Sequence, residues 1–407
     1  MGIEPHSLLI ARSLDRWWAR KGRAPRPGLT AASLKVLGAV DKRIRAAVAK
    51  ATGMMATQVR RSASAAHRSK TPSGGTRFMP SKLAKHVRDK SQYFLVYTAR
   101  WRTHGVDHRV RLRFAVYSSL ELADRVPFDS MASKMLSWLL VCSETNPSSC
   151  ARELDVYILR APHLKTLPAS GATSLSPVNV NSGYATACAR TGEIVVYRAE
   201  EWFKVFVHES FHAYGLDTGA GSQGLRELSR VLFPVEASHA LDEAYTETWA
   251  RIINVLYCAQ GAPGSEQSRA VEEMLAVEQM FAAVQASKVL SHQGTHYTCI
   301  RGKGASEACG YSENTNVLAY YVLGGALIND LDGFLRWCGI YAVGYLRFPP
   351  RPKAERAFGE LLVRATNRAE FISALETGSG WPGRAGSGIK GYLAGSLRMS
   401  AMECNDE

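Results

Sequence analysis

Between Trp202 and Leu216 the chain is apolar nearly all round a helical wheel, with Phe203, Val207, Phe211 and Tyr214 among its large side chains. The same stretch carries His208-Glu209-Ser210-Phe211-His212. A helix with no polar face belongs in a core, and two imidazoles and a carboxylate buried there cost free energy unless something pairs with them. The spacing suggests the partner. Residues four apart share one helix face, so His208 and His212 offer two nitrogens to a single metal ion, while Glu209 reaches towards a water on that ion. Neutral imidazole suits Zn²⁺, and a carboxylate is a competent proton acceptor near pH 7. The competing reading is coincidence, which this composition produces about once or twice in a hundred chains of such length.

The flanks agree with a core helix. Glu193 to Tyr197 reads as a short strand rich in β-branched residues. Ala199-Glu200-Glu201-Trp202 reads as an acidic first turn, and Gly215 as a C-terminal stop.

A catalytic zinc site needs a third protein ligand and an open position. The best candidates lie in Asp242-Glu243-Ala244-Tyr245-Thr246-Glu247-Thr248-Trp249, early in a second helical run. Read alone, these acids are equally a solvated helix face. With the motif, they resemble the gluzincins, the thermolysin-like zinc peptidases. That resemblance implies Glu243 as third ligand, Glu247 as the acid that orients a ligating histidine, and Glu209 as general base. Two features depart from the pattern. Thirty residues separate His212 from Glu243, including the flexible stretch Gly219 to Gly224. Gly215 also matches the metzincin extension, whose third-ligand position is Thr218 here, a poor ligand. Asp217 and then His239 are the alternatives to Glu243.

The motif helix, the Glu243 segment and Tyr311 to Leu327 together resemble predicted metallopeptidases of large double-stranded DNA viruses, which implies an intracellular or virion-associated protein. The zincin resemblance further implies an edge strand beside the active-site helix that pairs with extended peptide, for which Asn181-Ser182-Gly183-Tyr184 is the candidate; an ordinary hairpin turn is the alternative. An oxyanion requires a donor such as Tyr or His, and Tyr311, His296 and Tyr245 are available.

The chain's 407 residues, 46% of them hydrophobic, suffice for at least one large core. The net charge of +14 is localised: residues 1–100 hold 21 Lys and Arg against 4 Asp and Glu, the remainder 29 against 32. Two basic amphipathic helices are expected there. One runs over Ser7 to Arg20 with Ile10, Leu14, Trp17 and Trp18 on its apolar side. The other follows Thr30 through Leu34, Leu37, Val40, Ile44 and Val48, with Lys35, Lys42, Arg43, Arg45 and Lys50 outside. Such helices bind nucleic acid or anionic surfaces, or form the solvated faces of a helical subdomain. No h-region or myristoylation pattern is legible, and no run approaches a membrane span.

Composition makes 62–82 a linker, dividing the chain into a basic helical region (1–61), that linker, and a zincin-like domain (83–407). β-Structure is expected at Tyr93 to Arg102 and His108 to Ser118 around a His104-Gly105-Val106-Asp107 turn. Further strands are expected at Leu154 to Arg160, and at Asn181 to Cys188 pairing with Glu193 to Tyr197. After Asp242 the pattern is mostly helical. The eight cysteines contain no Cys-x-x-Cys pair, which argues against a second zinc site; in the absence of a leader they are read as free or adventitiously paired thiols. The expected whole is an α+β, zincin-like peptidase with one Zn²⁺ per chain and a peptide or protein substrate. The alternative is an inactive zincin fold with a structural or nucleic-acid-associated role.

Overall fold

The computed structural model describes residues 3–22, 28–66, 71–73, 78–118, 127–168, 174–219, 222–302, 309–381 and 388–406. The fold is α+β, with one open mixed sheet and many helices. The chain forms two compact units. One comprises Met1–Leu37, Lys165–Val180 and Asp217–Asn405; the other comprises Gly38–Leu164, Asn181–Leu216 and Asp406–Glu407.

The second unit contains the whole sheet, in the order β1-β2-β3-β4-β6-β5. Its strands are β1 (Arg60–Ala65), β2 (Tyr93–Thr103), β3 (Val106–Val116), β4 (Glu153–Ala161), β5 (Gly183–Ala185) and β6 (Thr191–Arg198). β2 and β3 form an antiparallel hairpin, in which only His104 and Gly105 turn the chain, with φ of 46° and 76°. Two consecutive positive φ values match the twist of the flanking strands, so Val106 and Asp107, expected in the turn, belong to the ladder instead. β3, β4 and β6 are parallel, and the helix Phe128–Thr145 makes the long crossover that the parallel β3–β4 pair requires.

The two faces of the sheet are covered differently. Phe94, Val96, Ala115, Tyr157, Leu159, Val195 and Tyr197 pack with Met79, Leu83 and Ala84 at the helix Ser81–Lys90. On the opposite face, Phe114 meets Phe128 and Trp138 stacks on Phe211. The helix Trp202–Tyr214 is thus held between Phe128–Thr145 and the β5–β6 edge. That double coverage is why a helix apolar all round is stable there.

The segment expected as a linker is structured at its start. Ser62–Ala65 lie in β1, paired with β2 from Val96 to Tyr93. Small side chains suit a short edge strand as well as a flexible segment, so composition alone misread them. Residues 67–70 and 74–77 of that segment lie outside the described residues.

The first unit is helical around Gln267–His292. Tyr245 sits among Phe334, Trp337, Phe348 and Phe358, and its hydroxyl donates to the Leu346 carbonyl. The buried Glu278 carboxylate accepts from Ser400 Oγ and the Ala401 and Met402 amides, anchoring the C-terminal segment. Expected helicity over Val317 to Leu327 is met by a π-helical turn, Leu318–Leu323, running into Gly324–Asn329.

The basic N-terminal region divides between the two units, Met1–Leu37 in the first and the residues from Gly38 in the second. Ile10, Leu14 and Trp18 of the helix Pro5–Arg20 are buried, and Trp17 Nε1 donates to the Thr377 carbonyl. The helix Ala31–Thr57 starts at Thr30, whose hydroxyl accepts from the Ser33 amide. Its buried stripe runs through Ser33, Val36, Leu37, Val40, Ile44, Ala47, Ala51 and Met54, leaving the expected Leu34 exposed.

The thiol reading also changes. Disulfides join Cys150 to Cys188, Cys258 to Cys404 and Cys299 to Cys309, while Cys142 and Cys338 are free and buried. Sequence separations of 38, 146 and 10 carry no pairing signal, since tertiary structure brings these sulfurs together. No helix among the described residues is long and apolar enough to cross a membrane.

Candidate metal centre

The motif helix follows β6 after Glu200 and Glu201. Both acids are buried and precede the helix, with Glu201 at φ 56°, so they do not form the acidic first turn that was expected. The helix ends at Gly215 in the left-handed region, where the Gly215 amide donates to the His212 carbonyl and the Leu216 amide to that of Phe211. These two bonds form a Schellman motif, and glycine is the residue that adopts its φ without strain.

Within this helix His208 and Glu209 are buried and His212 half-buried. The Nε2 atoms of His208 and His212 lie 3.3 Å apart. Two nitrogens bound to one tetrahedral Zn²⁺ at about 2.0–2.1 Å would stand about 3.3–3.4 Å apart. The donor set and its spacing therefore fit a zinc ion.

The surroundings hold His212 at its backbone. The Cys188 amide donates to the His212 carbonyl at 3.0 Å, and Asn146 Nδ2 donates to the Tyr214 carbonyl at 2.6 Å. The Cys150–Cys188 disulfide packs on Gly215: a Cβ there would meet both sulfurs, at 3.3 and 3.5 Å. β5 closes at Ala185, short of the expected Cys188, whose amide bonds the His212 carbonyl instead.

The expected edge segment lies beside Glu209. Gly183 pairs with Val196 on the helix side of the sheet, and β5 is an edge strand. A Cβ on Gly183 would be 2.9 Å from Val205 Cγ1 and 3.0 Å from Glu209 Oε1. The Ser182 carbonyl accepts from the Tyr197 amide and the Asn181 carbonyl from Arg198 Nε. Tyr184 faces the other way, against Phe78 at 5.3 Å and the core of that face.

The remaining candidates belong to the helical unit. Glu243 is in the first turn of Leu241–Ala259, and its Oε1 accepts from Asn316 Nδ2 at 2.9 Å. Glu247, fully buried, forms an ion pair at 3.1 Å with Arg251, whose Nη2 reaches the Tyr320 carbonyl. Asp217 accepts from the Gly219 amide, as an aspartate does in a turn. His239 has both ring nitrogens engaged, with Ser229 Oγ and the Val235 carbonyl, and burial lowers its pKa. Residues 220 and 221 of the expected flexible loop lie outside the described residues, and the helix Gln223–Leu232 begins within its remainder.

The oxyanion candidates are committed locally. Tyr311 is buried and donates to Glu313 Oε2 at 2.8 Å, and burial holds its pKa well above the usual range. Glu313 also accepts from the amides of Ser238 and Leu318. His296 is exposed and caps the short helix Tyr297–Ile300, its Nδ1 accepting from the Cys299 amide.

The sequence reading missed Asn316, the Cys188 amide and Asn146. Their roles depend on main-chain geometry or on a neighbour far along the chain, and neither leaves a local pattern. Comparison of the chain with protein-family models, curated proteins and solved structures gives no match.

Proposed function

We propose that the chain is a zinc-dependent peptidase with a zincin-like fold, in which His208, His212 and Glu243 bind the metal and Glu209 is the general base. The observation that carries this reading is the 3.3 Å separation of the two imidazole Nε2 atoms on a buried helix, with a carboxylate at the position after the first histidine. A purely structural metal site has no need of that carboxylate.

When bound, zinc would supply a Lewis acid that polarises the scissile carbonyl and acidifies water. The chain's own groups do the rest. Glu209 takes a proton from the attacking water and delivers it to the leaving amine. Asn316 holds the Glu243 carboxylate in one orientation through its amide. The Schellman turn and the Cys188 amide fix His212 by its carbonyl, and β5 offers an edge to an extended peptide by main-chain pairing.

The test is Glu209→Gln, assayed for zinc content and for cleavage of a broad peptide library. Zinc should stay at wild-type level while hydrolysis falls by about 10²–10⁴-fold. Cleavage unaffected by the substitution would remove Glu209 from the mechanism. Absence of any wild-type cleavage at full zinc occupancy would favour the structural alternative.

A further inference from the structure

One end of the sheet gathers five arginines, Arg100, Arg102, Arg109, Arg152 and Arg190, against two acids, Asp107 and Glu153. Arg100 and Arg109 are direct cross-strand partners in β2 and β3, and Arg102 follows on the same face. The Arg109 amide donates to the Arg152 carbonyl at 2.7 Å, and the Glu153 amide to that of Arg190 at 3.0 Å. These parallel-ladder bonds set Glu153 opposite both Arg109 and Thr191, and they leave Arg152 and Arg190 one residue before β4 and β6 at the same end of the sheet. Further up the same face Arg111 and Arg113 are neutralised by Asp155. At the end itself the acids are the exposed Glu153 and Asp107, the latter 3.5 Å from Arg102. Like charges directly opposite one another weaken a sheet. In addition, Arg109 Nε and Arg152 Nε are both shielded from water with no hydrogen-bond acceptor, a rare condition for buried donors.

We propose that this end of the sheet docks the phosphodiester backbone of a nucleic acid. Guanidinium groups match phosphate oxygens in geometry and charge, and the five arginines outnumber the two acids at this end. The row crosses from β2 to β6, three strand intervals or roughly 14 Å, more than one phosphate spans but suited to consecutive phosphates of a strand. Among the described residues the exposed large hydrophobic ones lie elsewhere, so this surface does not present the apolar wedge by which proteins enter a lipid interface. With no exposed aromatic ring to stack on bases, it reads backbone and not sequence. This surface differs from the N-terminal helices, for which nucleic-acid or anionic-surface binding was one of two readings and where Arg43 is engaged with Thr145 and Arg45 with Asp41.

The test measures fluorescence anisotropy of labelled single-stranded and duplex DNA with the full chain across a salt series. The triple variant Arg100→Gln, Arg109→Gln, Arg152→Gln should bind about tenfold or more weakly, with the salt slope reduced by about 2–3, near 0.9 per lost phosphate contact. Arg100→Gln with Arg190→Gln, which leaves the half-buried pair intact, should give a smaller loss of the same sign if the triple variant does not fold. Lys35→Gln, Lys42→Gln, Lys50→Gln should bind as wild type. The proposal is overturned if wild type binds no DNA at low salt, if the arginine variants bind like wild type, or if the lysine variant loses affinity equally. Binding to phosphatidylserine vesicles but not to DNA would also overturn it.

Discussion

Gly183 and Glu209 are in contact range through a missing side chain: a Cβ on Gly183 would stand 3.0 Å from Glu209 Oε1 and 2.9 Å from the Val195 carbonyl oxygen. The second distance is to backbone, which has little room to yield. Glycine at 183 thus lets the edge strand lie against the motif helix at the proposed base. Gly183→Ala should lower stability by about 1–3 kcal/mol through overpacking, read as a fall in thermal unfolding midpoint. A variant as stable as wild type would mean that the strand stands further from the helix than described.

The ligand assignment separates by metal content. His208→Ala and His212→Ala should each remove most of the zinc, because one remaining imidazole lacks its partner nitrogen 3.3 Å away. Glu243→Gln should weaken binding far more than Asp217→Asn. The opposite order would move the third ligand to Asp217 and the chain towards the metzincin pattern.

Thiol chemistry tests the cross-links. Denatured, unreduced protein should titrate two thiols, Cys142 and Cys338, and reduced protein eight. Burial pushes the pKa of both free thiols up, so neither should react in the native state. Replacing Cys150 and Cys188 by serine should cost up to about 4 kcal/mol on the chain-entropy account for a separation of 38. It should also weaken zinc binding, because the Cys188 amide that donates to the His212 carbonyl would lose its tether. Unchanged zinc affinity in that variant would separate the disulfide from the metal centre.

The parts legible in sequence were those with local periodicity. The motif helix, the β2–β3 hairpin and the pairing of the Gly183 segment with β6 all follow from alternation or helical phase. Composition was a poorer guide. Ser62–Ala65 resembles a linker and is strand, whereas the apolar stripes of the two basic helices were legible from helical phase, with Ile10, Leu14, Trp18, Leu37, Val40 and Ile44 buried. The disulfides, the Asn316–Glu243 bond and the Glu247–Arg251 pair were not readable. Spacing along the chain says nothing about tertiary neighbours, and an acidic residue one helical turn before an arginine reads the same on a surface as in a core.

The N-terminal helix gives the clearest stability prediction. If Pro5–Arg20 were a dispensable basic arm, its removal would leave the thermal transition unchanged. Ile10, Leu14 and Trp18 are instead at most 2% exposed, the Glu4 amide donates to the Glu403 carbonyl, and the Glu403 amide donates to Ser7 Oγ. Trp18→Ala should therefore cost about 3–5 kcal/mol, the usual range for a buried large aromatic. Deleting residues 1–22 should leave a protein that is aggregated or sensitive to protease. Arg12→Gln, at an exposed position of the same helix, should change stability by about 0.5 kcal/mol or less. Chemical denaturation of the two point variants distinguishes a helix that fills a core from one that carries charge: the first predicts a large loss for the tryptophan alone, the second no loss for either.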